Sequence, residues 1–262
     1  MSSTPLISAI VLNYRSPRDT VRCVQALKKQ TIADQLEILA VDNHSDDESI
    51  GFLRAQLSGL PDVRIVEERG NLGYGRGNNA AAKLARGQYL LIINPDNILP
   101  PEGLEKMLAV LKSDEKIGIV GPALVYPDGS IRPSARTFPR PGDLLRKRVF
   151  PKTWHATYQK QLHATEMMNV DWLVGACLLL RTDLYKELKG FDERFFLFFE
   201  DIDLCRRIHA KGKSVMYLSS LKVLDRKGRL SGSSIFSLFT RKTTRIHLAS
   251  AIKYFWKWGF AA

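Results

Sequence analysis

The sequence predicts an α/β fold: an open, doubly wound, mostly parallel sheet with helices on both faces and a C-terminal amphipathic extension. Strand-like and helix-like segments alternate through the first half of the chain. The strand-like segments are apolar throughout, as is typical of strands that are covered on both faces. The 262 residues are 45% hydrophobic and 25% charged, an ordinary globular composition that argues against wholesale disorder.

Each predicted element has a local signal. Ser16 is placed to cap the first helix, where Pro17 takes the first helical position, and Thr182 is placed to cap a later one. A glycine-rich turn at 70–79 leads into a short helix at 79–85. Apolar runs predict strands, and apolar residues at helical spacing predict helices. The strands are predicted at 7–14, 36–43, 63–68, 88–94, 117–125, 170–180 and 214–225, and the other helices at 16–30, 101–114, 183–189 and within 191–212.

The pattern divides the chain into three parts. Residues 1–125 form the regular α/β half, and 126–232 a second half of the same domain that begins with a long loop or insertion at 126–169. Residues 233–262 form a basic, aromatic segment. The N-terminus lacks the features of a signal peptide, and no apolar run approaches the ~20 residues of a membrane span. Three widely spaced cysteines predict neither disulfides nor a cysteine zinc site, which favours the cytoplasm.

The formal net charge of +12 calls for an acidic partner. Residues 132–152 carry seven Lys or Arg against one Asp, and 222–262 carry nine against one. Nucleic acid, anionic lipid and phosphorylated substrates all qualify as partners. Either cluster is also consistent with a solvated surface.

Polar residues follow the second predicted strand, where an open parallel sheet binds ligands beyond the carboxyl ends of its strands. Asp42 and Asn43 stand at this point, and their side chains can hydrogen-bond a planar base and a ribose. The same stretch, DNHSDDES, is also a good helix cap.

The fourth strand ends in the sequence Asn94-Pro95-Asp96. The proline fixes its own φ angle and restricts the residue before it to extended geometry. The Asp96 carboxylate therefore emerges from an apolar strand at the sheet edge, where it can hold a divalent cation that bridges a diphosphate. N-P-D-N is also a common turn sequence.

A third acidic cluster, Glu200, Asp201 and Asp203, follows four phenylalanines. Apolar surroundings and neighbouring negative charge both raise the pKa of a carboxyl group, which suits a general base near neutral pH. An acidic first turn that complements a helix dipole is the alternative, and both can hold together.

The motifs taken in order resemble those of the family 2 inverting glycosyltransferases of GT-A fold, and most closely the bacterial rhamnosyltransferase-like branch. The resemblance covers roughly residues 6–232. It is carried by VLNY, VDNHSDDES, NLGYGRGNN, LIINPD, DWLVGACLLLR and GFDERFFLFFEDIDLCRRI.

The resemblance implies a nucleotide-sugar-binding half at 1–125 and an acceptor-binding and catalytic-base half at 126–232. It implies that Asp201 is the catalytic base, with Glu200 beside it, and that Asp171, Trp172 and Gly175 lie on the acceptor side, with Trp172 stacking on sugar. The residues implied to lie around the base, ribose and donor are Asn13, Tyr14, Asp42, Asn43, Asn78, Asn79 and Asn94.

Asp96 matches the last acid of the family's metal motif, which binds Mg²⁺ or Mn²⁺, while Asn94 replaces the first acid. Many relatives carry a metal-ligating histidine after the last strand, where this chain has Asp225. An aspartate can ligate a hard cation, and it can equally have no metal role.

The predicted function is therefore inverting transfer of a sugar, such as rhamnose, from a UDP- or dTDP-sugar to a hydroxyl of a lipid-diphosphate-linked or polysaccharide acceptor in cell-surface glycan synthesis. The aromatic and basic residues of 234–260 predict peripheral attachment to the anionic inner face of the cell membrane, or packing on the catalytic domain. A nucleotidyltransferase and a nucleic-acid-binding protein are the rival predictions. The first lacks a glycine-rich loop after strand one, and the second leaves the acids at three strand ends unexplained.

Overall fold

A ten-stranded sheet runs through the protein, whose computed structural model describes residues 4–140, 142, 167–226 and 242–259. Its strands lie in the order β3-β2-β1-β4-β11-β6-β12-β5, with β7 beside β6 and β9 beside β12, and β8 pairs with β10 in a separate small sheet. The strands are β1 Ile7–Asn13, β2 Leu36–Asp42, β3 Val63–Glu67, β4 Tyr89–Ile93, β5 Asn97–Ile98, β6 Ile117–Val125, β7 Ile131–Arg132, β8 Ala135–Arg136, β9 Met167–Asn169, β10 Trp172–Leu173, β11 Cys177–Arg181 and β12 Ser214–Asp225.

Helices cover both faces of this sheet and divide the core in two. Helices α1, α2 and α4 pack on one face, and α3, α5, α6 and α7 on the other. In β4, Leu90 and Ile92 point to the second group, whereas Leu91 and Ile93 point to the first. The helices are α1 Pro17–Leu27, α2 Ser49–Leu57, α3 Gly73–Ala82, α4 Gly103–Ser113, α5 Thr182–Glu187, α6 Glu200–Ala210 and α7 Lys242–Trp258, with a 3₁₀ turn at Ala33–Gln35.

Strand direction decides which loops meet. Strands β1 to β4 are parallel, so their carboxyl ends share one edge of the sheet. Strand β11 runs antiparallel to β4, with Cys177 opposite Ile93. The start of β11 therefore lies at the same edge, and the Asn94 amide donates to the Ala176 carbonyl over 2.8 Å.

The second half of the chain completes the same sheet, since β6, β11 and β12 all lie in it. Strands β6 and β12 are parallel to each other. The predicted open, mostly parallel α/β sheet is confirmed, with β11 as the antiparallel insertion that links the two halves. The predicted loop at 126–169 contains β7, β8 and β9 in its described part, and most of its basic cluster lies outside the described residues.

Three sequence-based predictions of local structure were wrong. The glycine-rich stretch is not a turn before a helix: α3 begins at Gly73 and ends at Ala82. A β-carbon at Gly77 would lie 3.0 Å from the Leu12 side chain, so glycine here permits close packing of helix on strand, which outweighs its poor helix propensity. The predicted strand at 170–180 is two strands, β10 and β11, which belong to different sheets.

The predicted side-chain caps are the third error. Ser16 precedes α1, but its hydroxyl donates to the Tyr14 carbonyl and makes no cap hydrogen bond. Thr182 is the first residue of α5, and its hydroxyl donates to the Gly87 carbonyl over 2.7 Å. The Ser16 hydroxyl is thus taken by a local contact, and the Thr182 hydroxyl by a contact 95 residues away in sequence.

Helix α7 lies on the face of the sheet that also carries α3, α5 and α6. Tyr254 and Phe255 are buried there, and Lys257 forms ion pairs with Asp192 over 2.8 Å and Asp203 over 2.5 Å. This described part of the C-terminal segment thus packs on the rest of the α/β domain, which is one of the two alternatives that the sequence predicted. Within the described ranges, no helix combines the length and the apolarity that crossing a bilayer requires.

Candidate active site

The carboxyl ends of β1 and β2 carry a closed hydrogen-bond network. Asn13 lies opposite Asp42 in the paired strands and donates to its carboxylate over 2.6 Å. Asp42 also accepts from the amide and the hydroxyl of Ser45, over 2.9 and 2.7 Å. The side-chain oxygen of Asn13 accepts from the Ser16 amide and the Thr20 hydroxyl. Both predicted residues are buried, so they form a rigid wall at this edge.

Asn43 fixes the turn that starts α3. Its side chain accepts from the Leu72 amide over 3.1 Å and donates to the Gly73 carbonyl over 3.1 Å and to the Asn71 side chain over 3.2 Å. The sequence signal, a polar residue after a buried strand, located Asn43 correctly at this edge. Its contacts with the turn were not visible in the sequence. Tyr14, by contrast, is exposed beside Arg15.

The two asparagines of α3 differ in their contacts. Asn79 accepts from the Tyr185 hydroxyl over 2.6 Å and the Phe191 amide over 2.9 Å, and donates to the Phe191 carbonyl over 2.8 Å. It therefore ties α3 to the segment after α5. Asn78 donates to the Tyr74 carbonyl, and its side-chain oxygen is buried without a partner among the described residues. Both asparagines are buried.

Asp201 lies in the first turn of α6 and reaches the start of β11. Its carboxylate accepts from the Gly175 amide and from the Ile202 amide, each over 2.9 Å. The Gly175 carbonyl in turn accepts from the Tyr74 hydroxyl. A β-carbon at Gly175 would lie 3.3 Å from that of Asp201, so a side chain here would crowd the carboxylate. Gly175 and Asp201, both predicted site residues, are thus in direct contact.

Burial, together with the neighbouring Asp201 carboxylate, raises the pKa of Glu200 well above its usual value. One carboxyl oxygen of Glu200 is buried and has no hydrogen-bond partner among the described residues. Burial also raises the pKa of Asp201, an effect opposed by the Gly175 and Ile202 amides and by the charge of Arg136. The raised pKa values give the predicted acidic pair an increased affinity for a proton, as a proton acceptor requires.

The chain that leads into this pair is strained. Phe198 and Phe199 both adopt left-handed backbone conformations, with φ of 69° and 71°. Non-glycine residues in this region cost of order 1–3 kcal/mol each and persist where surrounding contacts determine them. Such strain is concentrated at functional sites, which agrees with the position of Glu200 directly after Phe199.

Asp96 and Asn94 follow β4 at the same edge, and both side chains are partly exposed. The Asp96 carboxylate accepts from the Asn97 side chain over 3.3 Å, and its carbonyl accepts from the Arg226 amide. Asp225 lies opposite Asn97 but is fully buried, and it forms an ion pair with Arg132. A carboxylate neutralised in this way is a poor metal ligand, so the structure favours the second of the two alternatives for Asp225.

Asp96 fits a divalent metal that is bound together with a diphosphate. Hard cations at such sites take one or two protein carboxylates, with phosphate and water oxygens completing the shell. In the ranges that the structure describes, no group of three or more His, Cys, Asp or Glu is placed to hold a metal alone. The single accessible carboxylate of Asp96 agrees with a metal whose binding depends on the ligand's phosphates.

The predicted acceptor-side residues Asp171 and Trp172 are held by contacts within the protein. Trp172 is only 7% exposed, its indole N–H donates to the Thr137 carbonyl over 2.8 Å, and the Arg136 guanidinium covers one ring face. The ring therefore offers little area for the predicted sugar stacking. Asp171 accepts from the Phe138 amide over 2.8 Å, which fixes the strand pair β8–β10. The charge of Arg136, whose guanidinium covers the tryptophan, lowers the pKa of Asp201.

Tyr74 is a site residue that sequence reasoning missed. Its hydroxyl bonds the Gly175 carbonyl and its amide donates to the Phe196 carbonyl over 2.8 Å. Burial raises the pKa of Tyr74 well above its usual value, and the charges of Glu200 and Asp201 add to this effect. The available signal was an aromatic residue inside a glycine-rich stretch.

Registers and hydrogen bonds bring the predicted residues to one sheet edge. Asn13 and Asp42 end β1 and β2, Asn94 bonds Ala176, and the adjacent Gly175 bonds Asp201. This arrangement combines a rigid polar wall, an accessible carboxylate and a buried acidic pair. The wall can bind a polar ligand, the Asp96 carboxylate can hold a cation, and the acidic pair can accept a proton.

Comparison with known proteins identifies a family and relatives of this chain. Residues 8–189 match the model of the family described as Glycosyl transferase family 2. The chain is 28% identical over 275 residues to the N-acetylglucosaminyl-diphospho-decaprenol L-rhamnosyltransferase of Mycobacterium tuberculosis, with 97% of this chain and 87% of the relative covered. It is also 28% identical to the O-antigen biosynthesis protein RfbC of Myxococcus xanthus, over 84% of this chain and 17% of that protein.

Solved structures share the fold at low identity. GalNAc-T7 with UDP, GalNAc and Mn²⁺ aligns with a TM-score of 0.67 and 15% identity, over 89% of this chain and 47% of that one. The mannosyltransferase PcManGT from Pyrobaculum calidifontis, in complex with GDP-Man and Mn²⁺, aligns with a TM-score of 0.62 and 18% identity, over 96% and 65%. The chain thus spans about half to two thirds of these solved chains. The predicted GT-A-type fold and the family resemblance are both confirmed: the chain belongs to glycosyltransferase family 2.

Proposed function

We propose that this protein transfers a sugar from a UDP- or dTDP-sugar to a hydroxyl group of a lipid-diphosphate-linked acceptor, with inversion at the anomeric carbon. The observation that carries the proposal is the contact between Asp201 and Gly175 at the edge where β1, β2 and β4 end. This contact places a carboxylate of raised pKa beside the edge at which open α/β sheets bind nucleotides.

The donor half supplies a binding surface that is already ordered. The Asn13–Asp42 wall and the turn fixed by Asn43 lie where the base and ribose are expected, and Tyr14 is exposed at the rim. Asn78 is buried in α3, where its side chain donates to the Tyr74 carbonyl. Because these groups are held by protein contacts, little conformational entropy is lost when the donor binds.

Asp201 acts as the general base in this proposal. It removes the proton from the acceptor hydroxyl, whose oxygen attacks the anomeric carbon from the face opposite the departing nucleoside diphosphate. One displacement of this kind inverts the configuration. Glu200 lies beside it, and burial together with the Asp201 carboxylate raises its pKa.

Asp96 would hold Mg²⁺ or Mn²⁺ against the donor diphosphate, with Asn94 beside it. When bound, such a metal neutralises the charge that develops on the leaving phosphate. The mannosyltransferase and GalNAc-T7 structures both contain Mn²⁺ and a nucleotide, which supports a divalent metal in this fold. Asp225 has no part in the proposed metal site because it is paired with Arg132.

The relatives support the acceptor and the location. The rhamnosyltransferase relative is named for a diphospho-decaprenol acceptor, so we assign this chain a lipid-diphosphate-linked acceptor and rhamnose as the first sugar to test. An acceptor of this kind lies in a membrane. We therefore place the protein in the cytoplasm, peripherally on the anionic inner face of the cell membrane.

A thermal-shift panel of nucleotide sugars, with and without Mg²⁺ or Mn²⁺, tests this function. We expect one UDP- or dTDP-sugar to raise the melting temperature, with the increase dependent on metal. Asp96→Asn should abolish the metal-dependent part. Asp34→Asn, an exposed aspartate before the amino end of β2, is the matched control and should behave as wild type. If no nucleotide sugar stabilises the wild type at any metal concentration, the proposal is wrong.

A further inference from the structure

Helix α7 has one face that is fixed to the catalytic domain. The Ser250 hydroxyl donates to the Leu197 carbonyl over 2.8 Å, and the Lys253 ammonium donates to the Arg194 carbonyl over 2.8 Å. The His247 ring packs on Phe198 and Phe199, with centroid distances of 5.1 and 5.2 Å. These contacts lie along the segment that leads directly into Glu200 and Asp201.

The opposite face of α7 carries a line of large apolar side chains. Leu248, Ile252 and Trp256 are 42%, 62% and 84% exposed. They lie four residues apart, so they form one stripe along the helix. Because α7 is already packed through its other face, these three exposed side chains do not contribute to the core. Together they form an interaction surface.

The charge around the stripe identifies its partner. Helix α7 contains no acidic residue, and Lys242 and Arg245 are exposed beside the stripe. Interfacial helices combine an apolar face with basic residues that contact anionic headgroups, and tryptophan is enriched at the boundary between headgroups and acyl chains.

We propose that the stripe of Leu248, Ile252 and Trp256 binds the surface of an anionic lipid bilayer. The three side chains enter the boundary between headgroups and acyl chains, while the flanking basic residues contact lipid phosphates and carboxylates. The helix lies in the plane of the interface and does not cross it.

The contacts that fix α7 to the domain also relate the stripe to the acidic pair. Because the inner contacts of α7 hold the segment before Asp201, the stripe sets the orientation of the bilayer relative to the acidic pair. This deepens the proposed function, on which it rests, since a lipid-linked acceptor must reach the base from the bilayer. The surface also explains how helix packing and membrane attachment, which the sequence offered as alternatives, occur on opposite faces of one helix.

Sedimentation of the full chain with vesicles tests the proposal. We expect binding to phosphatidylglycerol-containing vesicles that weakens with salt, and weak binding to pure phosphatidylcholine vesicles. Vesicle affinity should fall about tenfold or more in each of the variants Leu248→Glu, Ile252→Glu and Trp256→Glu. Each substitution removes an apolar side chain that is buried in the bilayer when the protein is bound, and each adds a negative charge. Leu84→Glu is the matched control, since Leu84 is a 39% exposed leucine at the end of α3, and it should bind as wild type.

Two results would overturn the proposal. One is unchanged vesicle binding in all three stripe variants. The other is a concentration-dependent dimer, seen by sedimentation velocity, that the stripe variants abolish while vesicle binding is absent; the stripe would then join two copies of the chain. Donor-dependent thermal shifts should stay at wild-type size in the stripe variants. Failure of the proposed function would remove those shifts from the wild type itself, so the two failures are distinguishable.

Discussion

The polar wall of Asn13 and Asp42, extended by Asn43, shares one sheet edge with the acidic pair of Glu200 and Asp201, but the two satisfy their polar atoms in opposite ways. Asn13, Asp42 and Asn43 are buried with their hydrogen bonds made inside the protein. Glu200 is equally buried, yet one of its carboxyl oxygens has no partner among the described residues, and its pKa is strongly raised.

This difference suits the two groups of residues to different roles, ligand binding for the first and proton transfer for the second. A wall whose groups are already paired keeps its shape and presents a fixed surface, which favours recognition. A carboxyl pair that is incompletely solvated retains affinity for a proton, which favours catalysis. The first arrangement stabilises the fold, whereas the second is expected to cost stability.

The largest expected effect comes from Asp201. Asp201→Asn keeps the shape of the side chain but removes its basicity, so turnover should fall about 10²–10⁴-fold. Donor affinity, measured by thermal shift or calorimetry, should be unchanged because the wall is untouched. Steady-state kinetics with the donor identified by the panel provides the measurement.

The matched control for this variant is Asp183→Asn. Asp183 is an exposed residue in the first turn of α5 that accepts from the Leu184 amide over 2.7 Å, much as Asp201 accepts from Ile202. Near-normal turnover in Asp201→Asn, or an equal loss in Asp183→Asn, would contradict the assignment of the base.

A smaller effect should follow when the wall is broken. Asn43→Ala leaves the Leu72 amide and the Gly73 carbonyl without their partner, so the free energy of unfolding should fall by about 2–4 kcal/mol. Urea denaturation measures this change. Asn71→Ala, which removes an exposed member of the same turn, should cost less. Equal stability of Asn43→Ala and the wild type would show that the wall is not held by these bonds.

The smallest effect, and one of opposite sign, is expected from Glu200→Gln. A carboxyl group whose pKa is raised in the folded state holds its proton there at pH values where the unfolded chain has lost it. The free energy of unfolding therefore falls as pH rises from the usual glutamate pKa toward the raised value. Glutamine does not titrate, so the variant should melt a few degrees higher than wild type at neutral pH and at the same temperature below the usual glutamate pKa. Melting curves at both pH values provide the check, and a variant that is less stable at neutral pH would contradict it.

Most of the sheet and the edge that holds the site could be predicted because both depend on local patterns. Apolar runs located β1, β2, β4, β6 and β12 within a residue or two. The polar residues that follow them, such as Asp42 and Asp96, could be assigned to one edge because parallel strands end together. The acidic pair was recognised because it follows an aromatic run.

The errors come from contacts between residues far apart in sequence. Asn79 could not be distinguished from Asn78, because its partners Tyr185 and Phe191 lie more than a hundred residues away. The helix at Gly73 depends on close packing that glycine permits, a contact that propensity does not describe. The ion pair of Asp225 with Arg132 likewise depends on strand pairing that no local pattern indicates.

The left-handed pair Phe198–Phe199 has a consequence for the order of folding. Two adjacent residues with β-carbons hold this conformation only while tertiary contacts outweigh their local preference. These contacts include the His247 and Tyr254 rings of α7. We therefore expect that a chain which has formed its sheet but has not yet docked this helix does not hold the backbone before Glu200 in this conformation.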